Sequence, residues 1–168
     1  NEWSGDNGFS AGIIPFRMNK QGKTEVFLGM PGKPKNPEFN PPMWMTRWNI
    51  LKGHSNSNEK GIGCAIREFC EETGIPASFI DSTKLVSLDK ELMGDGRLFY
   101  CWGLDLTGDE QFDSFDFHSN LIDSYRYIQL NGGKPYPEIE KYGWLEVGNT
   151  GPGTPYETSF YPKWDQIW

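Results

Sequence analysis

The stretch Gly53–Ile75, GHSNSNEKGIGCAIREFCEETGI, sets four glutamates and one arginine at fixed spacings around a single helix. Side chains three and four residues apart share a helical face, so Glu68, Glu71 and Glu72 form one compact carboxylate cluster. Like charges that close repel one another. A hard divalent cation such as Mg²⁺ or Mn²⁺, which prefers oxygen ligands and is often shared with substrate phosphates, gives the cluster a purpose. Ile62, Ala65, Ile66 and Phe69 fall at i, i+3, i+4 and i+7 and predict the stripe that faces the core. Gly74, followed by Ile75 and Pro76, predicts the helix end, because glycine supplies a left-handed residue and proline cannot continue the helix. The start is less well marked: Gly61 and Gly63 disfavour helix, and no Ser, Thr or Asp immediately precedes Gly61.

Length and composition predict one domain over residues 1–168, since 36% hydrophobic and 15% aromatic residues suffice for a core. The balance of 23 acidic to 16 basic residues, a net charge of −7, argues against broad binding to nucleic acid through a basic surface. An anionic substrate must therefore be attracted locally, by metal ions and a few placed cations. Cys64, Cys70 and Cys101 are an odd number without paired spacing and read as reduced thiols of a cytoplasmic protein. Zinc is disfavoured, because there is no C-x-x-C and His54 and His118 lie far apart. No apolar run approaches the ~18 residues of a membrane span, and the chain opens without a signal-like segment.

Around the central segment, FSAGIIPF (Phe9–Phe16) and EVFLGM (Glu25–Met30) predict two strands of a hairpin turning at Asn19–Lys23. A proline-rich loop spans Pro31–Pro42, and Trp44–Leu51 is a candidate strand leading into Gly53. Leu85–Leu88 and Arg97–Leu106 flank Gly94-Asp95-Gly96 as a second hairpin. The acidic stretch GDEQFDSFDFHS reads as a surface insertion anchored by a few aromatics. Ser124–Leu130 and Gly143–Val147 are candidate strands. Strands flanking one motif-bearing helix predict a mixed α/β or α+β sheet.

The segment resembles the Nudix box, G-x5-E-x7-R-E-U-x-E-E-x-G-U with U apolar. Gly53, Glu59, Arg67, Glu68, Glu71, Glu72 and Gly74 fill every fixed position, and Phe69 and Ile75 fill the apolar slots. At residue frequencies of about 5–7%, the seven fixed matches would arise by chance in about one chain in a million or fewer. The N-terminal half is similar to small MutT-like Nudix proteins, with a Pro-Gly segment at Met30–Pro34, Trp48, and the pair Lys52-Gly53. KPYPEIEKYGW, Lys134–Trp144, fits the same pattern.

The resemblance implies an α/β/α sandwich around a mixed sheet with one catalytic loop-helix-loop. It implies hydrolysis of a phosphoanhydride bond in a nucleoside diphosphate linked to a group X, by attack of water on phosphorus. By position, Glu68, Glu71 and Glu72 would hold Mg²⁺ or Mn²⁺, with Glu59 in a supporting role and Gly53 giving a backbone turn near metal or phosphate. Arg67 would orient a neighbouring carboxylate, and Lys52 would contact phosphates. Many Nudix enzymes draw a further acidic residue from outside the box. Here Glu138, ahead of Trp144, is favoured as base or extra ligand, with Glu140 and Glu91 as competitors. Trp3, Trp44, Trp48, Trp102 and Trp144 offer planes that could stack on a base, and Trp44 and Arg47 are the pair to test. The substrate class expected is a small nucleotide: a nucleoside triphosphate, a dinucleoside polyphosphate or a nucleotide sugar. An RNA 5′-end pyrophosphohydrolase or decapping enzyme is the alternative, less favoured by the acidic composition. A non-enzymatic nucleotide-binding module is the weakest reading, because the box is complete. Nudix proteins are often dimers, and the aromatic content permits a homodimer.

Overall fold

Phe9–Met18 (β1) is buried from Phe9 through Pro15, the mark of a central strand covered on both faces. The computed structural model describes residues 8–94, 96–115, 136–158 and 163–164. Trp3, Asp95, His118, the candidate strand Ser124–Leu130 and the start of the Lys134–Trp144 segment lie outside them. Along one edge, β1 pairs in parallel with Leu98–Asp105 (β6), Phe9 opposite Leu98 and Phe16 opposite Asp105. The other edge serves two antiparallel partners in turn. Leu51–His54 (β3) takes Ser10–Ile13, and Thr24–Pro31 (β2) takes Phe16–Met18. Between the two lies Pro15, which has no amide hydrogen to leave without a partner. The sheet therefore forks at β1. β2 and the segment before β3 rejoin at a single bridge, Gly29 with Asn49.

Leu85–Ser87 (β4) and Glu91–Leu92 (β5) pair with successive parts of β6, and the hairpin expected there closes with Met93 donating to the Arg97 carbonyl at 2.7 Å. The first hairpin also forms as expected, with Asn19 Oδ1 accepting from the amides of Gln21 and Lys23 at 3.0 Å each. Ile139–Glu146 (β7) lies antiparallel to β2 at the sheet edge. It starts four residues before the expected Gly143, because a register shift between Met30 and Pro31 lets Ile139 and Tyr142 both pack on the helix-side core. The candidate strand Trp44–Leu51 is corrected: Met43–Thr46 forms a short 3₁₀ turn, and the strand begins at Leu51. Pro41 and Pro42 precede that turn, and Thr46 Oγ1 donates back to the Met43 carbonyl at 2.8 Å, which closes it locally.

Gly61–Thr73 (α1) matches the helix expected from the spacing. Gly74 ends it at φ 76°, its amide donating to the Cys70 carbonyl at 2.8 Å. No side chain caps the start at Lys60, in line with the weak start signal. Cys64, Ala65 and Phe69 are fully buried against Ala11, Ile13, Leu51 and Tyr100, with Ile62 and Ile66 packed beside them. Glu110–Asp113 (α2), capped by Asp109 Oδ1 on the Phe112 amide at 2.9 Å, falls in the acidic stretch. Phe112 anchors it against Phe27 and Phe69 on the same face of the sheet as α1. The other face carries Ile14, Val26, Leu28, Phe99 and Cys101 under Trp164, whose Nε1 donates to Thr150 Oγ1 at 2.6 Å. The mixed α+β sheet is thus the expected one. The three cysteines are free thiols, and among the described residues no helix is long and apolar enough to cross a membrane.

Phe69→Ala removes the largest side chain that α1 contributes to this core. The expected loss is about 3–5 kcal/mol of unfolding free energy, read as a lower urea midpoint.

Candidate active site

The fork in the sheet opens a cleft of about 290 Å³ between β3 on one side and the β2–β7 edge on the other. Lys52, Gly53 and His54 line it from β3, Glu138 and Ile139 from the start of β7, and Glu72 from the end of α1.

Arg67 is the hub beside it. Its Nε and Nη2 grip the two oxygens of Glu59 at 2.8 and 3.0 Å, a bidentate, charge-assisted pair. Its Nη1 donates to Glu68 Oε1 at 2.9 Å and to Glu71 Oε2 at 3.2 Å, and Nη2 also donates to the His54 carbonyl at 2.9 Å. One guanidinium thereby ties the end of β3, the loop after it and two turns of α1. The hydrogen bond from Arg67, helped by the Asn56 amide, holds the Glu59 carboxyl below its ordinary range, and the same bond raises Arg67 further above its own.

Glu68 lies folded against β3. A Cβ at Gly53 would sit 2.0 Å from Glu68 Oε2, so glycine here makes room for a carboxylate. The backbone turn expected of Gly53 is not what demands it: Gly53 lies inside β3 and is not among the glycines of positive φ. Burial pushes the Glu68 carboxyl up, against the pull of Arg67. Glu71 is the outermost of the three, with 59% of its side chain exposed. Glu72, at 8% exposure, is the innermost, and its carboxyl is raised well above the usual range. Burial is the main cause, followed by the charges of Glu138 and Glu68, with Lys52 opposing. Cys64, buried beneath them with Sγ 3.7 Å from the Gly53 carbonyl, has its thiol pushed up to about 12 by desolvation.

Of the three acidic residues considered outside the box, Glu138 enters this cluster. The amide of Gly32 donates to its carbonyl at 2.9 Å, an approach so close that a Cβ on Gly32 would overlap the Pro137 carbonyl. The Pro-Gly segment after β2 therefore places Glu138. Glu140 pairs instead with Lys33, and Glu91 with Lys163 at 3.1 Å; neither lines the cleft. Arg47 pairs with Glu157 at 3.9 Å. Two residues absent from the sequence reading also sit here. Ser10 Oγ lies 3.2 Å from His54 Nδ1, and the Arg97 guanidinium abuts the same nitrogen. Arg97 and Ser10 carry no local signal: the antiparallel pairing of β1 with β3 sets Ser10 opposite His54, and the parallel pairing of β1 with β6 brings Arg97 alongside.

Arg67 draws Glu59, Glu68 and Glu71 toward itself, and among the described residues no three His, Cys, Asp or Glu side chains converge on one point as a metal shell. The donor set still fits a hard divalent cation. It is all oxygen, and the mutual repulsion and burial that raise Glu68 and Glu72 are what such a cation relieves.

A model of the NUDIX domain matches residues 7–148. The chain belongs to the Nudix family. Its fold is also that of the Nudix hydrolase RenU from M. smegmatis, with a TM-score of 0.50 and 13% identity over 99% of this chain and 92% of that one. The NUDIX domain of NrtR from Shewanella oneidensis, solved with ADP ribose, superposes with a TM-score of 0.53 and 11% identity over 95% and 82% of the two chains. A MutT/nudix family protein from Enterococcus faecalis gives 0.53 and 14%, covering 87% of this chain and 46% of that one, so this chain spans about half its length. Likeness at these identities is one of fold. No curated protein matches the chain. As a Nudix hydrolase the protein is a pyrophosphohydrolase.

Glu72→Gln should raise the melting temperature in metal-free buffer near neutral pH. The folded state holds the Glu72 proton more tightly than the unfolded chain does. Wild-type stability therefore falls as pH rises from the ordinary carboxylate range toward the raised value, and the variant escapes that loss. Calorimetry across the range should show the gap closing below about pH 4, where Glu72 is protonated in both states. Gly53→Ala should displace Glu68 and lower turnover about a hundredfold with the circular dichroism spectrum unchanged.

Proposed function

We propose that this chain, acting as one domain over residues 1–168, hydrolyses the phosphoanhydride bond of a small nucleoside diphosphate linked to a group X. Glu68, Glu71 and Glu72, supported by Glu59, are the residues that would hold Mg²⁺ or Mn²⁺. A divalent cation held there screens the diphosphate charge and stabilises the charge that develops as the bond breaks. Glu138 stands across the cleft from Glu72 and is suited to take the proton from the attacking water. Water then adds to phosphorus, the bridging P–O bond breaks, and two phosphate products leave. Arg67 touches Glu59, Glu68 and Glu71 and so positions all three. Lys52, lining the same cleft, offers its ammonium to the phosphates. It gives an acidic protein a local cation for an anion.

The observation that supports this reading is that Gly53 and Glu72, from the two ends of a complete box, line one cleft together with Glu138, 66 residues beyond Glu72. The test is turnover with Mg²⁺ of nucleoside triphosphates, dinucleoside polyphosphates, ADP ribose and 5′-triphosphate RNA, with product masses locating the broken bond. One substrate class should be hydrolysed, and Glu71→Gln should lose about a hundredfold or more. Folded protein that hydrolyses none of them with either metal would remove the proposal; turnover confined to RNA would replace the small nucleotide with an RNA end.

A further inference from the structure

The cleft has one feature that phosphate chemistry does not use. Among the large apolar side chains exposed in the described residues, Trp44, at 60% exposure, is the one that lines it. Its backbone is held firmly. The Met45 amide donates to the Pro42 carbonyl at 3.0 Å, and the Met45 side chain is buried beneath the turn. Asn49 Nδ2 reaches the Trp44 carbonyl at 3.4 Å, while the Asn49 backbone exchanges two hydrogen bonds with Gly29 of β2, at 2.8 and 3.0 Å. β2 in turn pairs with β7 up to Pro31 opposite Ile139, the residue after Glu138. A chain of backbone bonds thus fixes the base of the indole relative to a wall of the carboxylate cluster. An indole left in water on an anchored turn, in the same cleft as Lys52, Glu72 and Glu138, has an uncovered flat apolar face and little backbone entropy to lose on covering it.

We propose that Trp44 is the stacking platform for the nucleobase, so that the site selects phosphoanhydrides carrying an aromatic base over those on a non-aromatic group. This rests on the hydrolase reading above. A volume near 290 Å³ is at the lower end of small-ligand sites and suits one nucleotide unit. Stacking reads the face of a base and not its edge, so purines and pyrimidines both bind, purines more tightly through their larger face. The contact is equal in ground and transition states, so it acts on KM and leaves kcat unchanged.

Binding without turnover tests this separately from hydrolysis. Calorimetric titration of AMP, GMP, UMP and ribose 5-phosphate into wild type, Trp44→Ala and Trp44→Phe should show the nucleotides binding roughly ten- to hundredfold more tightly than the sugar phosphate. That preference should vanish in Trp44→Ala and return in Trp44→Phe. Equal affinity for nucleotides and ribose 5-phosphate in the wild type, no binding of either, or a preference that survives Trp44→Ala overturns the inference even if the enzyme hydrolyses phosphoanhydrides. Base-selective binding without turnover would leave the platform standing and remove the hydrolase.

Discussion

The contact on which the site depends is the grip of Arg67 on three carboxylates and one carbonyl. Arginine suits the position because its planar fork delivers five N–H donors in fixed directions and stays charged at any pH the fold survives. Glu59 takes two of those bonds, Glu68 and Glu71 share a third nitrogen, and the His54 carbonyl receives the last direction. Lysine could satisfy one or two of these partners. The result is that a loop without regular structure, from Ser55 to Lys60, is held in register with a helix and a strand. The positive charge also makes it tolerable to gather Glu59, Glu68 and Glu71 close together before any cation arrives.

Beyond the reach of Arg67, Glu72 answers to a different environment. It is buried, faces Glu138 and Glu68, and has Lys52 as the cation that opposes them. The helix therefore carries two kinds of carboxylate within one turn, one outside and compensated, one inside and raised. Tyr142 ties this inner end to the sheet by donating its hydroxyl to the Glu72 carbonyl, so β7 is fastened both to the end of α1 and to Glu138.

Much of this was legible in the sequence, for reasons that can be traced. α1 was readable because an i, i+3, i+4, i+7 stripe and a glycine stop are local signals, and the hairpins because their turns carry Asn and Gly. The need for glycine at position 53 is space for Glu68, a contact across elements that spacing alone does not reveal. β7 is longer than its sequence signal because the bulge opposite Pro31, which brings Ile139 and Tyr142 to the core, exists only in the pairing with β2. Trp44–Leu51 looked like a strand because aromatic and branched residues favour strands, whereas here they anchor a turn. Glu138 is favoured over Glu140 and Glu91 only by its position ahead of Trp144; the partners Lys33 of Glu140 and Lys163 of Glu91 separate the three in space. Ser10 and Arg97 had no signal, since the strands that bring them to His54 are far apart in the chain.

The proline at the fork has a bearing on how the cleft stays open. Two strands hanging from one edge of a third tend to extend their ladders toward each other, and each added pair of bonds would narrow the gap. Pro15 stands at the boundary between the two ladders and cannot donate to either, so neither neighbour gains an amide by advancing past it. The opening is thereby written into the strand itself as a stop mark, and the sheet is kept from zipping over the space its function requires.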